Sequence, residues 1–178
     1  MDKLLSVLLV AITFSSIHAQ KRIDELNFLL GEFDVTVMLP QQDKSWKQGG
    51  EGTASFYPIL DDTFIREDLD LTFGQGTLTM SNSIGRDGRM NQLRMIAMDK
   101  EFATIDIYKG ELNAGKLIFN NLTSDIPALT PEGKRVSFKI TYSQLSKQKN
   151  ESLVEITYDE GRTWTPYSKQ IFKRSEEK

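Results

Sequence analysis

The stretch "TFIREDLDLTFGQGTLTMSNSIGRDGR", residues 63–89, carries two runs of strict alternation on either side of one turn. In the first run Ile65, Glu67, Leu69, Leu71 and Phe73 share one parity, against Arg66, Asp68, Asp70 and Thr72. In the second, Leu78, Met80, Asn82 and Ile84 stand against Thr77, Thr79, Ser81 and Ser83. Successive side chains of a strand point to opposite faces, so a period of two marks a strand with one buried and one wet face. "GQG" joins the two runs, and Asp87-Gly88 turns the chain again with residues suited to a tight hairpin. The pattern is a β-hairpin, and one carboxylate (Glu67) and one amide (Asn82) stand on its apolar parity.

The same pattern continues in both directions. Upstream, Phe33, Val35 and Val37 alternate with Asp34 and Thr36, and "GTASFYPIL" forms a second run in which Pro58 signals an edge or a bend. Downstream come "QLRMIAM", "FATIDIY", "KLIFNNL", "RVSFKITY", "SLVEITY" and "SKQIFKR", separated by turn residues, by the polar segment "SQLSKQKNE" and by an irregular stretch at residues 123–134 holding Pro127 and Pro131. Ile23, Leu26 and Leu29/Leu30 repeat at helical spacing with Gly31 as a stop, which predicts a short helix over residues 22–30. About ten strands with short connections predict an all-β chain: a single antiparallel up-and-down β-barrel with a short N-terminal helix. A parallel α/β fold is disfavoured, because no helical pattern separates the strands.

The chain begins "MDKLLSVLLVAITFSSIHAQ": a lysine, an apolar run from Leu4 to Phe14, then small residues up to Ala19. That is the form of a secretory signal peptide. The run is shorter than the ~20 residues a membrane span needs, which weighs against an uncleaved anchor. The expected arrangement is a cleaved signal at 1–19 and one domain at 20–178, exported to the periplasm or the extracellular space. Stable membrane insertion after cleavage is not expected. The only histidine is His18, within the signal, and there is no cysteine. Residues 20–178 therefore exclude Ser-His-Asp hydrolysis, Cys-His chemistry, His- or Cys-ligated zinc and disulfides. The signal holds one acid (Asp2) and one base (Lys3), so its removal leaves the net charge at −3. With no basic block, nucleic-acid binding is disfavoured.

Four landmarks together resemble a known family: a short helix running into "LLGEF", then "GEGTASFYPILDDTFIRED", "SNSIGRDGR", and the closing "TYDEGRTWTPYSKQIFKR". The chain resembles the bacterial family called domain of unknown function 1579, over roughly residues 25–174. The resemblance implies a small lipocalin-like, or calycin-like, β-barrel. It implies no catalytic residue, and Phe33 stands where many members of that family have Trp. By analogy with barrels of this shape, it implies a small apolar or amphipathic ligand.

The segment Thr157-x-Asp159-x-Gly161-x-Thr163-Trp164 also resembles the Asp-box turn of sialidase propellers. A propeller repeats such turns at a fixed period over several hundred residues. One copy in a small domain reads instead as hairpin chemistry, with Asp159 accepting main-chain N–H bonds, Gly161 taking positive φ and Trp164 covering an end of the core.

Candidate ligand-binding residues follow from inward parity. Glu67 would sit inside the barrel with its pKa raised, or lie near the mouth, or pair with an arginine such as Arg94. Asn82 is a candidate internal hydrogen-bond donor, and Met80 and Met95 are candidate lining residues or plain core filling. Tyr142 and Tyr158 share parity with Val136, Phe138, Ile140 and with Val154, Ile156, and read either as cavity hydroxyls or as rim tyrosines with wet tips. Asn121 is similarly two-sided. No catalytic set, metal-ligand spacing or cofactor motif is present in the sequence, and no motif supports an enzyme. The expectation is a binding barrel for a hydrophobic or amphipathic molecule, with a non-catalytic envelope accessory protein acting through its outer surface or rim as the alternative, and an enzyme acting on a lipophilic substrate through Glu67 as a third.

Overall fold

The computed structural model describes residues 24–125, 127–130 and 132–176. The expected signal peptide lies outside the described residues. Ten strands close into one antiparallel barrel: β1 (Gly31–Pro40), β2 (Trp46–Ile59), β3 (Phe64–Phe73), β4 (Gly76–Asp87), β5 (Gln92–Asp99), β6 (Thr104–Asn113), β7 (Lys116–Asn120), β9 (Arg135–Ser146), β10 (Lys149–Thr157) and β11 (Thr165–Arg174). The extra strand is β8 (Ala128–Leu129), a two-residue ribbon on the edge of β9. Neighbours in sequence are neighbours in space, and β11 pairs with β1 to close the ring.

The alternation becomes the inner and outer walls. In β3, Ile65, Glu67, Leu69 and Leu71 are buried, and their partners in β4 are Ile84, Asn82, Met80 and Leu78. Closure demands bending, and glycine supplies it. Gly52 lies inside β2, opposite Val35 and Leu71. A Cβ there would run into the Asp70 main-chain carbonyl, so the wall can fold this closely only where a side chain is missing. Gly110 in β6 likewise leaves its place to the ring of Phe119.

Among the described residues the N-terminal helix expected over residues 22–30 is not found. A single 3-10 turn at Asn27–Leu29 stands in its place, and Leu30 is already extended. So short a helix has little stability of its own. Leu26 and Leu29 are instead held by burial, each about 1% exposed, and they plug one end of the barrel. Arg174 locks that end: its guanidinium donates to the Leu30 carbonyl at 2.8 Å and lies 4.9 Å above the ring of Phe33.

The two ends differ. At the plugged end Phe33, Phe56, Phe172 and Tyr142 pack edge to face at 5.8–6.3 Å, apart from Tyr142 and Phe172, whose tilted rings are 6.5 Å apart. Such rings are buried and mutually oriented. Toward the other end, inward side chains such as Phe73, Leu78, Met80, Phe138 and Ile140 are only partly buried.

The wall also has a seam. Pairing of β6 with β7 runs from Lys109 to Asn113, whereas residues 104–108 pair with β5 alone among the described residues. Asn121 bridges the interval. Its amide nitrogen donates to Asp106 and its Oδ1 accepts from the Phe138 N–H at 2.6 Å. Asn121 is about 1% exposed, so both of its hydrogen bonds are made out of contact with solvent.

Candidate functional site

The barrel interior holds a fully buried carboxylate, Glu67. Glu67 is directly opposite Asn82 on β4 and Phe56 on β2. It is about 1% exposed. Its Oε2 accepts two hydrogen bonds, from Asn82 Nδ2 at 2.7 Å and from the Tyr142 hydroxyl at 2.9 Å. Tyr142 reaches it from β9, held in place between the rings of Phe56, Phe119 and Phe172. A hairpin, β3–β4, and the sequence-distant strand β9 thus converge on one carboxylate oxygen.

The other two oxygens of the cluster have nothing. Glu67 Oε1 and Asn82 Oδ1 are both buried, and neither has a hydrogen-bond partner among the described residues. A buried acceptor without a donor costs about 1–3 kcal/mol. Burial pushes the Glu67 pKa up from 4.5 to about 6; the bonds from Asn82 and Tyr142 act in the opposite direction, and the nearby charge of Asp68 adds a further rise. Burial also raises the Tyr142 pKa well above its ordinary value, and the Glu67 charge adds to this. Tyr142 is therefore a donor and Glu67 a group that exchanges its proton in the mildly acidic range. A proton on Glu67 Oε1 turns one of the two lone acceptors into a donor. A hydroxyl or amine brought in by a ligand would supply what both lack.

The other expected residues distribute as follows. Met95 is fully buried on the inward face of β5, opposite Ile84 and Tyr108. Met80 is inward and partly buried, toward the more open end. Tyr158 is not part of the site. The strand ends at Thr157, and Tyr158 is 44% exposed with the Lys134 ammonium 4.9 Å above its ring. Arg94, the expected alternative partner of Glu67, has the opposite parity to inward Met95 and makes no ion pair with it.

Two inward groups lie beyond the sequence reading. Tyr108 is nearly buried, and its pKa is raised by burial and then by Asp106, which shares its inward parity. The reason they are hard to read is that β6 carries isoleucines on its other parity. Ile105 and Ile107 are 65% and 52% exposed, although apolar alternation alone would turn them inward. The usable signal lies in the neighbours: Leu93, Met95 and Ala97 fix the inward parity of β5, and Gly110, Tyr108 and Asp106 are their partners.

The Asp159 turn is built as hairpin chemistry. Asp159 Oδ1 accepts from the Thr163 N–H at 2.9 Å and from the Thr157 hydroxyl at 2.7 Å, and Oδ2 accepts from the Thr163 hydroxyl at 2.6 Å. Those bonds, from Thr163 first, hold the Asp159 pKa down to about 2. Gly161 takes φ 85°. Trp164 lies outside the core cluster, with the Lys139 ammonium 4.6 Å over its ring. No protein-family model and no curated protein matches the chain.

Proposed function

We propose that this protein is an exported, lipocalin-like barrel of the kind its resemblance to domain of unknown function 1579 implies, and that it binds a small, mostly apolar molecule carrying one hydrogen-bond donor. The observation that supports this reading is the pair of donorless acceptors, Glu67 Oε1 and Asn82 Oδ1, buried in the barrel interior. An inward wall of partly buried apolar side chains, Met80, Leu78, Phe138 and Ile140, leads away from them toward the less tightly packed end. Sites of this type combine an apolar lining with a few placed polar groups. Here the polar groups accept, so a hydroxyl or amine suits them and a carboxylate does not: it would meet Glu67 with like charge.

The test has two arms. Mass spectrometry of organic extracts of the purified protein should reveal a retained alcohol- or amine-bearing molecule. Titration with decanol, followed by calorimetry, should give saturable binding that Glu67→Gln weakens at least tenfold, because the new amide donates where the ligand should. Absence of any retained molecule, together with decanol binding that Glu67→Gln leaves unchanged, would remove the proposal.

A further inference from the structure

We infer that the outer face of β5 and β6 is a second, independent binding site, for a small amphiphilic monoanion: a carboxylate head on a short apolar tail. Three successive outward rungs cross the two strands. Met98 faces Ile105, Ile96 faces Ile107, and Arg94 faces Lys109. Ile96, Ile105 and Ile107 are all exposed. Rungs on one face of a sheet repeat at about 7 Å, so the two apolar rungs and the cationic one form a strip with a greasy body and a charged end. Each rung alone is unremarkable. Their order along the strands is the footprint of an amphiphile.

The charged end is unsatisfied. Like charges placed directly opposite each other on a sheet repel. Arg94 and Lys109 are so placed, and none of the ion pairs among the described residues includes either of them. The contact shown by the Arg94 side chain is a weak one, to the Met90 sulfur at 3.6 Å. The strip is also walled. A cavity of about 390 Å³ lies over its cationic rung and its β6 side, lined by Arg94, Ile105, Ile107 and Lys109 on the sheet side and by residues 123–125 on the other, with Ile96 at its margin on β5. That volume falls within the ~300–1,000 Å³ of small-molecule sites.

The charge count selects the head group. Arg94 and Lys109 bring two positive charges to the cavity and Asp125 one negative, which leaves a balance of one. A monoanionic carboxylate neutralises it; a dianionic phosphate overshoots and meets Asp125. The site lies outside the wall and Glu67 inside it, so the two readings stand or fall separately.

The experiment uses dodecanoate below its micellar concentration, with calorimetry and isoleucine-methyl NMR on the purified protein. The expected result is saturable binding with shifts at Ile96, Ile105 and Ile107. Affinity should fall at least tenfold in Arg94→Gln/Lys109→Gln and again in Lys109→Glu, and decanol should fail to shift these methyls. Circular dichroism and unchanged melting show whether each variant is folded. The inference is overturned by absence of binding at millimolar dodecanoate, by affinity that ignores both charge variants, or by shifts confined to the inward isoleucines Ile65 and Ile84. Sedimentation with phosphatidylglycerol vesicles without binding of monomeric dodecanoate overturns it in favour of a lipid surface. Self-association that protects the three isoleucine methyls overturns it in favour of a second copy of the chain.

Discussion

Replacing Glu67 by Gln should make the protein more stable at neutral pH. The folded state holds the Glu67 proton with a pKa of about 6, against an ordinary value of 4.5, chiefly because the group is buried. At ~1.4 kcal/mol for each tenfold change in proton affinity, that difference corresponds to about 2 kcal/mol. Its sign follows from linkage. The folded chain binds the proton more tightly, so the contribution is fully present below pH 4.5 and is lost as pH rises through 6. Above pH 7 the wild-type protein carries the full cost of a buried charge. Gln is neutral at every pH and keeps the shape, and its carbonyl can still accept from Asn82 and Tyr142 while its amide offers a donor to Asn82 Oδ1. Urea unfolding of both proteins from pH 4 to pH 8 measures the difference. The two should agree at pH 4, diverge between 4.5 and 6, and differ by about 2 kcal/mol at pH 8, which is roughly 4–8 °C in Tm for a domain of this size. Carboxylates held low, such as Asp87 and Asp159, lose their stabilising interactions at acid pH in both proteins alike, so the difference between the two is the informative quantity. A Gln variant less stable at pH 8, or a gap that does not change with pH, would refute the reasoning.

Other perturbations have equally definite outcomes. Tyr142→Phe removes one of two donors to Glu67 Oε2; it should cost ~1 kcal/mol and move the Glu67 titration, followed by carboxyl ¹³C NMR, above 6. Asn121→Leu strands both the Phe138 N–H and Asp106 at the seam and should cost ~1–3 kcal/mol in urea unfolding. Gly52→Ala drives a methyl into the Asp70 carbonyl; it should cost ~1–3 kcal/mol or more in thermal melting, whereas Gly76→Ala, where a Cβ meets open space, should cost far less.

Much of this architecture is legible in the amino-acid order. Glu67, Asn82, Met80 and Met95 are inward because they share parity with Leu and Ile neighbours, and burial of that parity is what closes the barrel. Tyr142 is found for the same reason. The rule fails where tertiary partners override local pattern. Tyr158 continues the parity of Val154 and Ile156, yet the register against β11 shifts between Val154 and Glu155, and the Asp159 turn begins at once. In β6 the isoleucines point out, since the strand must present Tyr108 and Gly110 to Met95 and Leu93. Leucine spacing near the N-terminus is satisfied by a single turn because two buried side chains, not a helix, are what the barrel end requires. The donorless state of Glu67 Oε1 depends on three strands meeting, which no single segment encodes.

The seam beside β6 gives the cylinder a preferred place to yield. Over most of their length the other strands are laddered to both neighbours by main-chain bonds, with one-sided pairing at strand ends such as residues 76–79 of β4. Along residues 104–108 one flank is fastened by the Asn121 side chain in place of a ladder. A hoop with a single button flexes at the button, so breathing of this wall concentrates there. Amide hydrogen exchange should accordingly be fastest on that flank, well ahead of the strands surrounding Phe33.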